Sequence, residues 1–222
     1  MAKLHVFDMD GTLLRGASVE EISRLLGRHD EAQAFEQSYL RGEVDDADGP
    51  RWWAGVFELW ASATDDELDA AFEACPWMEG IEDVFHDIAA RGEHSVVISQ
   101  SPQFIAHRLK RWGVEAAYGS RVAPGVLGTV DDLLTSQDKV VITERLLGEF
   151  GLSHTDCVAY GDSTSDFDLF AILTRTVAIR PDERIRSMAT AVYDGIDLRE
   201  AYQLGRRLLD GLSTEPAPIP AP

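Results

Sequence analysis

The sequence predicts an α/β domain with a largely parallel sheet, interrupted after its first strand by an inserted helical subdomain. Three observations carry this. Short apolar runs at Leu4 to Phe7, Ser95 to Ile98, Cys157 to Tyr160 and Thr176 to Ile179 alternate with helical patterns at Ile81 to Arg91, Pro102 to Trp112, Lys139 to Phe150 and Asp166 to Leu173. Strands that alternate with helices build parallel sheets, and such sheets bind ligands beyond the carboxyl ends of their strands. Residues 15 to 78 break the rhythm, because Val19, Ile22, Leu25, Leu26, Phe35, Tyr39, Trp53, Val56, Phe57 and Trp60 recur at helical spacing with no convincing strand. Three of the apolar runs end in polar residues suited to chemistry.

The expected organisation is therefore a core formed by residues 1–14 and 79–211, a helical cap over the site at 15–78, and a flexible proline-rich tail at 212–222. Val122 to Val130 (VAPGVLGTV) places Pro-Gly and a further glycine among β-branched residues, as a small hairpin would. No apolar run reaches the roughly 18 to 20 residues that cross a bilayer, and MAKLHVFDMD enters a strand with no leader pattern, so a cytoplasmic location is expected. Two cysteines, Cys75 and Cys157, with no CxxC or Cys/His spacing, argue against disulfides and zinc. A formal charge of −19 repels nucleic-acid phosphates and anionic lipid, so neither nucleic acid nor membrane is an expected partner. The sequence sets no oligomeric state.

Asp8-Met9-Asp10-Gly11-Thr12 directly follows the first apolar run. Two carboxylates two residues apart on a tight loop place one as nucleophile and the other as proton donor, and both can help hold a hard divalent cation. The same residues also serve a plain strand-end turn. Gly161-Asp162-Ser163-Thr164-Ser165-Asp166 follows the third run. Asp162 and Asp166 fall about one helical turn apart, which suits a metal ligand and an orienting partner, or simply a helix cap with first-turn acids. Ser99 ends the second run just before an expected helix N-terminus, a place for phosphate oxygens or for a cap. Lys139, one of three lysines, opens a helix whose dipole opposes it, and so calls for a compensating partner unless it lies in solvent.

Taken in order, DxDGT, Ser99, Lys139 and GDSTSD resemble the four motifs of haloacid dehalogenase superfamily hydrolases over residues 4 to 190. The insertion after the first motif, and VAIRPDERIRSMA after the fourth, are similar to the phosphoserine-phosphatase-like branch. That resemblance implies a Rossmann-like core with a helical cap of the C1 type, Mg²⁺ as cofactor and a small-molecule phosphate monoester as substrate. It implies that Asp8 attacks phosphorus, Asp10 protonates the leaving oxygen and then activates water, Ser99 and Lys139 bind phosphoryl oxygens, and Mg²⁺ is held by Asp8, Asp162 and the backbone carbonyl of Asp10, with Asp166 orienting. Ser165 stands where relatives often carry Asn, and the chain contains no Asn.

Counted as charges, four ionised carboxylates against Mg²⁺ and one lysine leave about −1 before a phosphate dianion arrives. Like charges about 4 Å apart cost roughly 4 kcal/mol at an effective dielectric near 20, so one carboxyl should hold a proton, and Asp10 is the candidate. Asp10 speaks against a dehalogenase, which needs no proton for its leaving halide, and residues 15 to 78 contain no lysine for Schiff-base chemistry. An inactive module that keeps the fold for binding is the alternative from another class; phosphoserine phosphatase proper is a second alternative. In that enzyme a cap glutamate nine residues after the nucleophile holds the substrate ammonium. Here that position is Ala17, while the corresponding cap arginine falls near Gly55 with Arg51 close by. The cap aromatics Trp52, Trp53, Phe57, Trp60 and Trp77 line either a pocket or the cap's own core.

Overall fold

The computed structural model describes residues 2–44, 48–126 and 128–212. Its six strands are β1 (Leu4–Phe7), β2 (His94–Pro102), β3 (Ala116–Ser120), β4 (Cys157–Gly161), β5 (Thr176–Ile179) and β6 (Ala191–Tyr193), all parallel in the order β3-β2-β1-β4-β5-β6. The chain runs outward from β1 to β3 and then crosses back to place β4 on the other side of β1. The strand order thus reverses between β1 and β4, and in open α/β sheets the crevice at such a reversal is where ligands bind.

Register sets the site. Phe7 pairs with Val97 on β2 and with Tyr160 on β4, and the Asp8 N–H continues the ladder to the Tyr160 carbonyl at 2.9 Å. The residues just past these pairs, Asp8, Ser99 and Asp162, therefore emerge together at the carboxyl edge. Both sheet faces are covered, so the strands are apolar throughout rather than alternating. Phe7 stacks on Tyr160 with centroids 4.3 Å apart on one face, and Leu4, Val6, Ile98 and Ala178 pack under Leu146 and Phe170 on the other.

Between β1 and α5 (Ile81–Ala90) lie four helices, α1 (Ser18–Leu25), α2 (His29–Leu40), α3 (Gly49–Trp60) and α4 (Asp65–Ala74). No strand occurs in this stretch among the described residues. Thr64 and Glu67 form a capping box that starts α4. The aromatic residues form a core here rather than a pocket lining. Trp53, Phe57 and Trp60 are buried, and three of the indoles spend their N–H internally: Trp52 on the Phe35 carbonyl, Trp60 on Ser23 and Trp77 on the Phe72 carbonyl. Phe57 and Trp60 also pack on Phe104, which anchors the helices to the sheet domain.

Two expectations need correction. The helix expected from Pro102 to Trp112 begins at Gln103, since β2 runs on through Pro102 with a register shift after Ile98; it is one turn of α6 (Gln103–Ala106) followed by a 3-10 segment, His107–Trp112, that ends at Gly113 with φ 93°. The hairpin expected at Val122 to Val130 amounts to one antiparallel bridge, Ala123 with Val126, before a 3-10 turn at Val130–Asp132; Leu127 lies outside the described residues. So does the expected tail from residue 213 onward. No helix among the described residues is long and apolar enough to cross a membrane.

The remaining helices α7 (Ser136–Phe150), α8 (Phe167–Ile172), α9 (Glu183–Met188) and α10 (Leu198–Leu209) complete the layers. Helix α10 approaches β4 so closely that a Cβ on Gly205 would lie 2.0 Å from the Tyr160 hydroxyl. Tyr160 is fully buried and bonded to His5, so it cannot swing away. Overpacking of this kind costs about 1–3 kcal/mol, against about 1 kcal/mol regained in helix propensity. Gly205→Ala should therefore lower the melting temperature by a few degrees, and a thermal melt at or above wild type would contradict this packing.

Candidate active site

The first turn of α7 is fixed by a capping box. Thr135 Oγ1 accepts from the Asp138 N–H, and Asp138 returns bonds to the Thr135 N–H at 2.8 Å and its hydroxyl at 2.6 Å. With that turn locked, the next residue, Lys139, points inward and is 1% exposed. Its Nζ lies 2.9 Å from Asp8 Oδ1 and 2.7 Å from Asp166 Oδ1, and donates to Ser165 Oγ at 3.1 Å. These are the compensating partners its place near the helix start requires. Burial works against the ammonium, but Asp166 and Asp8 outweigh it and raise its pKa.

Asp166 uses its second oxygen, Oδ2, to accept from the Asp162 N–H at 3.1 Å. Both its oxygens are thus engaged, one by Lys139 and one by the backbone that carries Asp162. Asp162 itself receives only a long bond from Thr12 Oγ1, 3.4 Å from its Oδ1. Gly11, at φ 75°, lets the first loop lie against the Asp162 carboxylate; a Cβ there would sit 2.0 Å from Oδ2. Asp8, Asp162 and Asp166 each offer an oxygen within 4.8 Å of the others. Burial pushes the Asp8 carboxyl up to about 7, against the pull of Lys139 and with Asp166 adding to it, and burial followed by Asp8 and Asp166 pushes Asp162 up to about 8. Crowded, buried carboxylates with too little positive charge are an all-oxygen donor set that fits a hard divalent cation.

Asp10, beside them, faces elsewhere. Its Oδ1 accepts from the Ser18 N–H at 2.9 Å, the first free N–H of α1, and its Oδ2 accepts from the hydroxyls of Ser18, at 3.2 Å, and Ser101. The two hydroxyls are 2.9 Å apart. Burial raises the Asp10 pKa, and the bonds from Ser101 and Ser18 oppose it. Ser99 is buried at the edge of the sheet, and its Oγ accepts from the Ser101 N–H at 3.1 Å. The helix N-terminus expected beside Ser99 begins only at Gln103, because Pro102 keeps an extended backbone.

The structure thus brings together Asp8, Lys139, Asp162 and Asp166 in one contact network, and beside it links Asp10 to Ser99 through Ser101. Ser18, Ser101, Thr12 and Arg180 are the residues that sequence reasoning does not single out. Arg180 Nη2 donates to the Gly11 carbonyl at 2.8 Å. On the side of α1–α4, the half-buried Glu36 has its carboxyl pushed up to about 7 by burial, with Asp10 and Glu20 adding to it, and Tyr39, one turn on, donates to Gln100 Oε1 at 3.3 Å across to the sheet domain.

The model of the haloacid dehalogenase-like hydrolases matches residues 5–171. A phosphoserine phosphatase of Idiomarina loihiensis is 26% identical over 168 residues, covering 73% of this chain and 75% of its own. That of Methanocaldococcus jannaschii is 24% identical over 203 residues, 89% of this chain and 95% of its own. The solved substrate-bound phosphoserine phosphatase complex superposes with a TM-score of 0.73 at 21% identity, over 91% of this chain and 98% of that one. With the motifs already placed at the carboxyl edge of the sheet, this match over three quarters of its length means that the chain belongs to the haloacid dehalogenase-like hydrolases, in the phosphoserine-phosphatase-like branch, and is a phosphatase.

Proposed function

We propose that this chain is a magnesium-dependent phosphomonoester hydrolase that works through a phospho-aspartyl intermediate on Asp8, with residues 15–78 as a cap over a small-molecule substrate. The observation that carries the reading is the position of Asp8 at the strand reversal, bonded to Lys139 and grouped with Asp162 and Asp166. An Asp8 oxygen attacks phosphorus as the bond to the leaving oxygen breaks, and Asp10 gives that oxygen its proton. Burial, which favours the protonated form of Asp10, suits that role. Asp10 then takes a proton from water, whose oxygen bonds to phosphorus as the bond to Asp8 breaks. Lys139 and Ser99 bind phosphoryl oxygens. Asp8, Asp162 and the Asp10 carbonyl, with Asp166 orienting, would hold Mg²⁺, which when bound would supply Lewis-acid charge neutralisation.

The leaving group is read from α1–α4. Ala17, nine residues after Asp8, is the N-cap of α1 and offers only a methyl group. Gly55 lies against Phe35, where a Cβ would be 2.6 Å from the ring, so no arginine fits there, and Arg51 is exposed. Glu21 is taken up by Arg24 at 2.7 Å. Phosphoserine phosphatase proper is the second reading, favoured by the relatives and by Glu36, the one cap-side acid among the described residues whose carboxyl is pushed up, by burial first and then by Asp10 and Glu20.

Replacing the nucleophile by an amide, Asp8→Asn, leaves Lys139 paired with Asp166 and should leave the fold intact while reducing kcat by ~1,000-fold or more, about 4 kcal/mol of barrier. Wild-type-like hydrolysis by a folded variant would remove Asp8 from its role. Metal and pH are linked through the raised acids. With folded values near 7 and 8 for Asp8 and Asp162 against about 3.9 in an unfolded chain, the metal-free folded state binds more protons than the unfolded one between about pH 4 and 8. Its stability therefore falls as pH rises through that window. The melting temperature in EDTA should be lower at pH 8.5 than at pH 6, Mg²⁺ should raise it more at pH 8.5, and EDTA should abolish turnover. Full activity in EDTA with no Mg²⁺ effect on melting would exclude the metal assignment. Finally, an unpaired substrate ammonium costs about 2–5 kcal/mol, or roughly 30- to 4,000-fold in kcat/KM. Free L-phosphoserine should accordingly trail the best member of a panel of sugar, polyol, nucleoside and natural-product monophosphates, and phosphoserine emerging as best would favour the second reading.

A further inference from the structure

Among the described residues Arg180 is the one non-glycine residue with a left-handed backbone, at φ 45°. Residues with a Cβ rarely adopt that conformation, and where they do a surrounding structure imposes it, often at a functional site. The contacts say what imposes it here. Arg180 directly follows β5, and its N–H bonds to the Tyr193 carbonyl of β6 at 2.7 Å. The sharp turn that follows sends the guanidinium back over the sheet edge to the Gly11 carbonyl. Two residues on, the Asp182 N–H donates to the backbone carbonyl of Asp162 at 3.1 Å, and the Asp182 side chain caps α9 through the N–H groups of Arg184 and Ile185, each at 2.9 Å. One three-residue turn therefore grips both acidic loops, the one carrying Asp8 and Asp10 and the one carrying Asp162.

We propose that Arg180 is a positioning residue that sets the separation of these two loops, and so the affinity of the carboxylate cluster for its divalent cation. The cluster tolerates little slack. Gly11 already lies so close to Asp162 that no Cβ fits between them, and Thr12 reaches Asp162 only at 3.4 Å. Releasing the Gly11 peptide from Arg180 lets the first loop move away from Asp162, so that the two ends of the oxygen set no longer hold one ion at the same time. Among the described residues Arg180 forms no ion pair within 4.0 Å; burial and then Arg15 lower its pKa, with Asp162 opposing them. The one directed contact of its guanidinium among them is the Gly11 carbonyl.

This inference rests on the magnesium reading above, and the test separates the two. Arg180→Gly suits the experiment because glycine accepts φ 45° without strain, so the fold is spared while the guanidinium is lost. Calorimetric titration of the metal-free proteins with MgCl₂ should give a dissociation constant at least about tenfold weaker for Arg180→Gly than for wild type, the usual effect of removing a group that orients metal ligands. Melting in EDTA should differ by no more than a few degrees. Arg180→Lys, which can still donate to the Gly11 carbonyl, should recover part of the affinity. An unchanged or tighter dissociation constant in a folded Arg180→Gly overturns the positioning role alone, whereas no Mg²⁺ binding by the wild type overturns the metal reading and this inference with it.

Discussion

The buried ammonium of Lys139 is the charge on which the active edge of this protein depends. Its Nζ bridges Asp8 and Asp166, and Lys139 could not stay buried and charged without them. Removing one partner from such a group leaves an uncompensated charge at a cost of about 3–5 kcal/mol. The consequences spread outward. Pairing with Lys139 holds Asp166 in place, Asp166 holds the Asp162 peptide, and so the loop after β4 is tied to the loop after β1 through α7. The capping box of Thr135 and Asp138, though exposed, is part of this arrangement because it decides that the fourth residue of α7 points inward.

A second hub joins the sheet domain to the inserted helices. Asp10 accepts from Ser101 on β2 and from Ser18 at the start of α1, so its carboxylate caps a helix and closes a contact between the two parts of the chain. A helix N-terminus favours negative charge on that carboxylate, whereas burial favours the proton. A group held between these two pulls is suited to giving up and taking back a proton in successive steps, which is what a residue serving first as acid and then as base must do.

Much of this was legible in the sequence, because buried parallel strands are apolar runs with chemistry at their ends. LHVF and TVAI have the bounds of β1 and β5. The edge strands escape such a reading, since AAYGS and AVY are too short and too rich in alanine and glycine to stand out. At the site, Ser99 is visible as a polar strand end, but the register shift after Ile98 is what aims Ser101 at Asp10, and no local pattern announces a bulge. Lys139 was legible only as a lysine placed against a helix dipole. Its burial is decided by residues some 27 and 131 positions earlier or later in the chain, which sequence-local reasoning cannot rank. Arg180 lay inside the run VAIRPDERIRSMA but gave no signal of its own, because a left-handed arginine looks like any other arginine until the loops it grips are in place.

The charge of the whole chain sharpens what the site must do. At −19 the molecule repels a phosphate dianion at long range, although that repulsion is screened beyond about 8 Å at physiological ionic strength. Inside that distance the local count governs. Asp8, Asp10, Asp162 and Asp166 against Lys139 sum to −3 when all are ionised, which disfavours binding of any anion. Two changes lower that count without altering the fold: a divalent cation among the carboxylates, and a proton on Asp10. Each takes the pocket toward neutrality, and together they bring the sum from −3 to 0. On the proposed reading, a phosphate ester would then meet an edge whose remaining charges, Lys139 and the cation, serve the phosphoryl oxygens, while the proton sits on the acid assigned to the leaving group. The acidic surface and the acidic site are thus compatible with an anionic substrate only in the protonation and metal state that the chemistry itself requires.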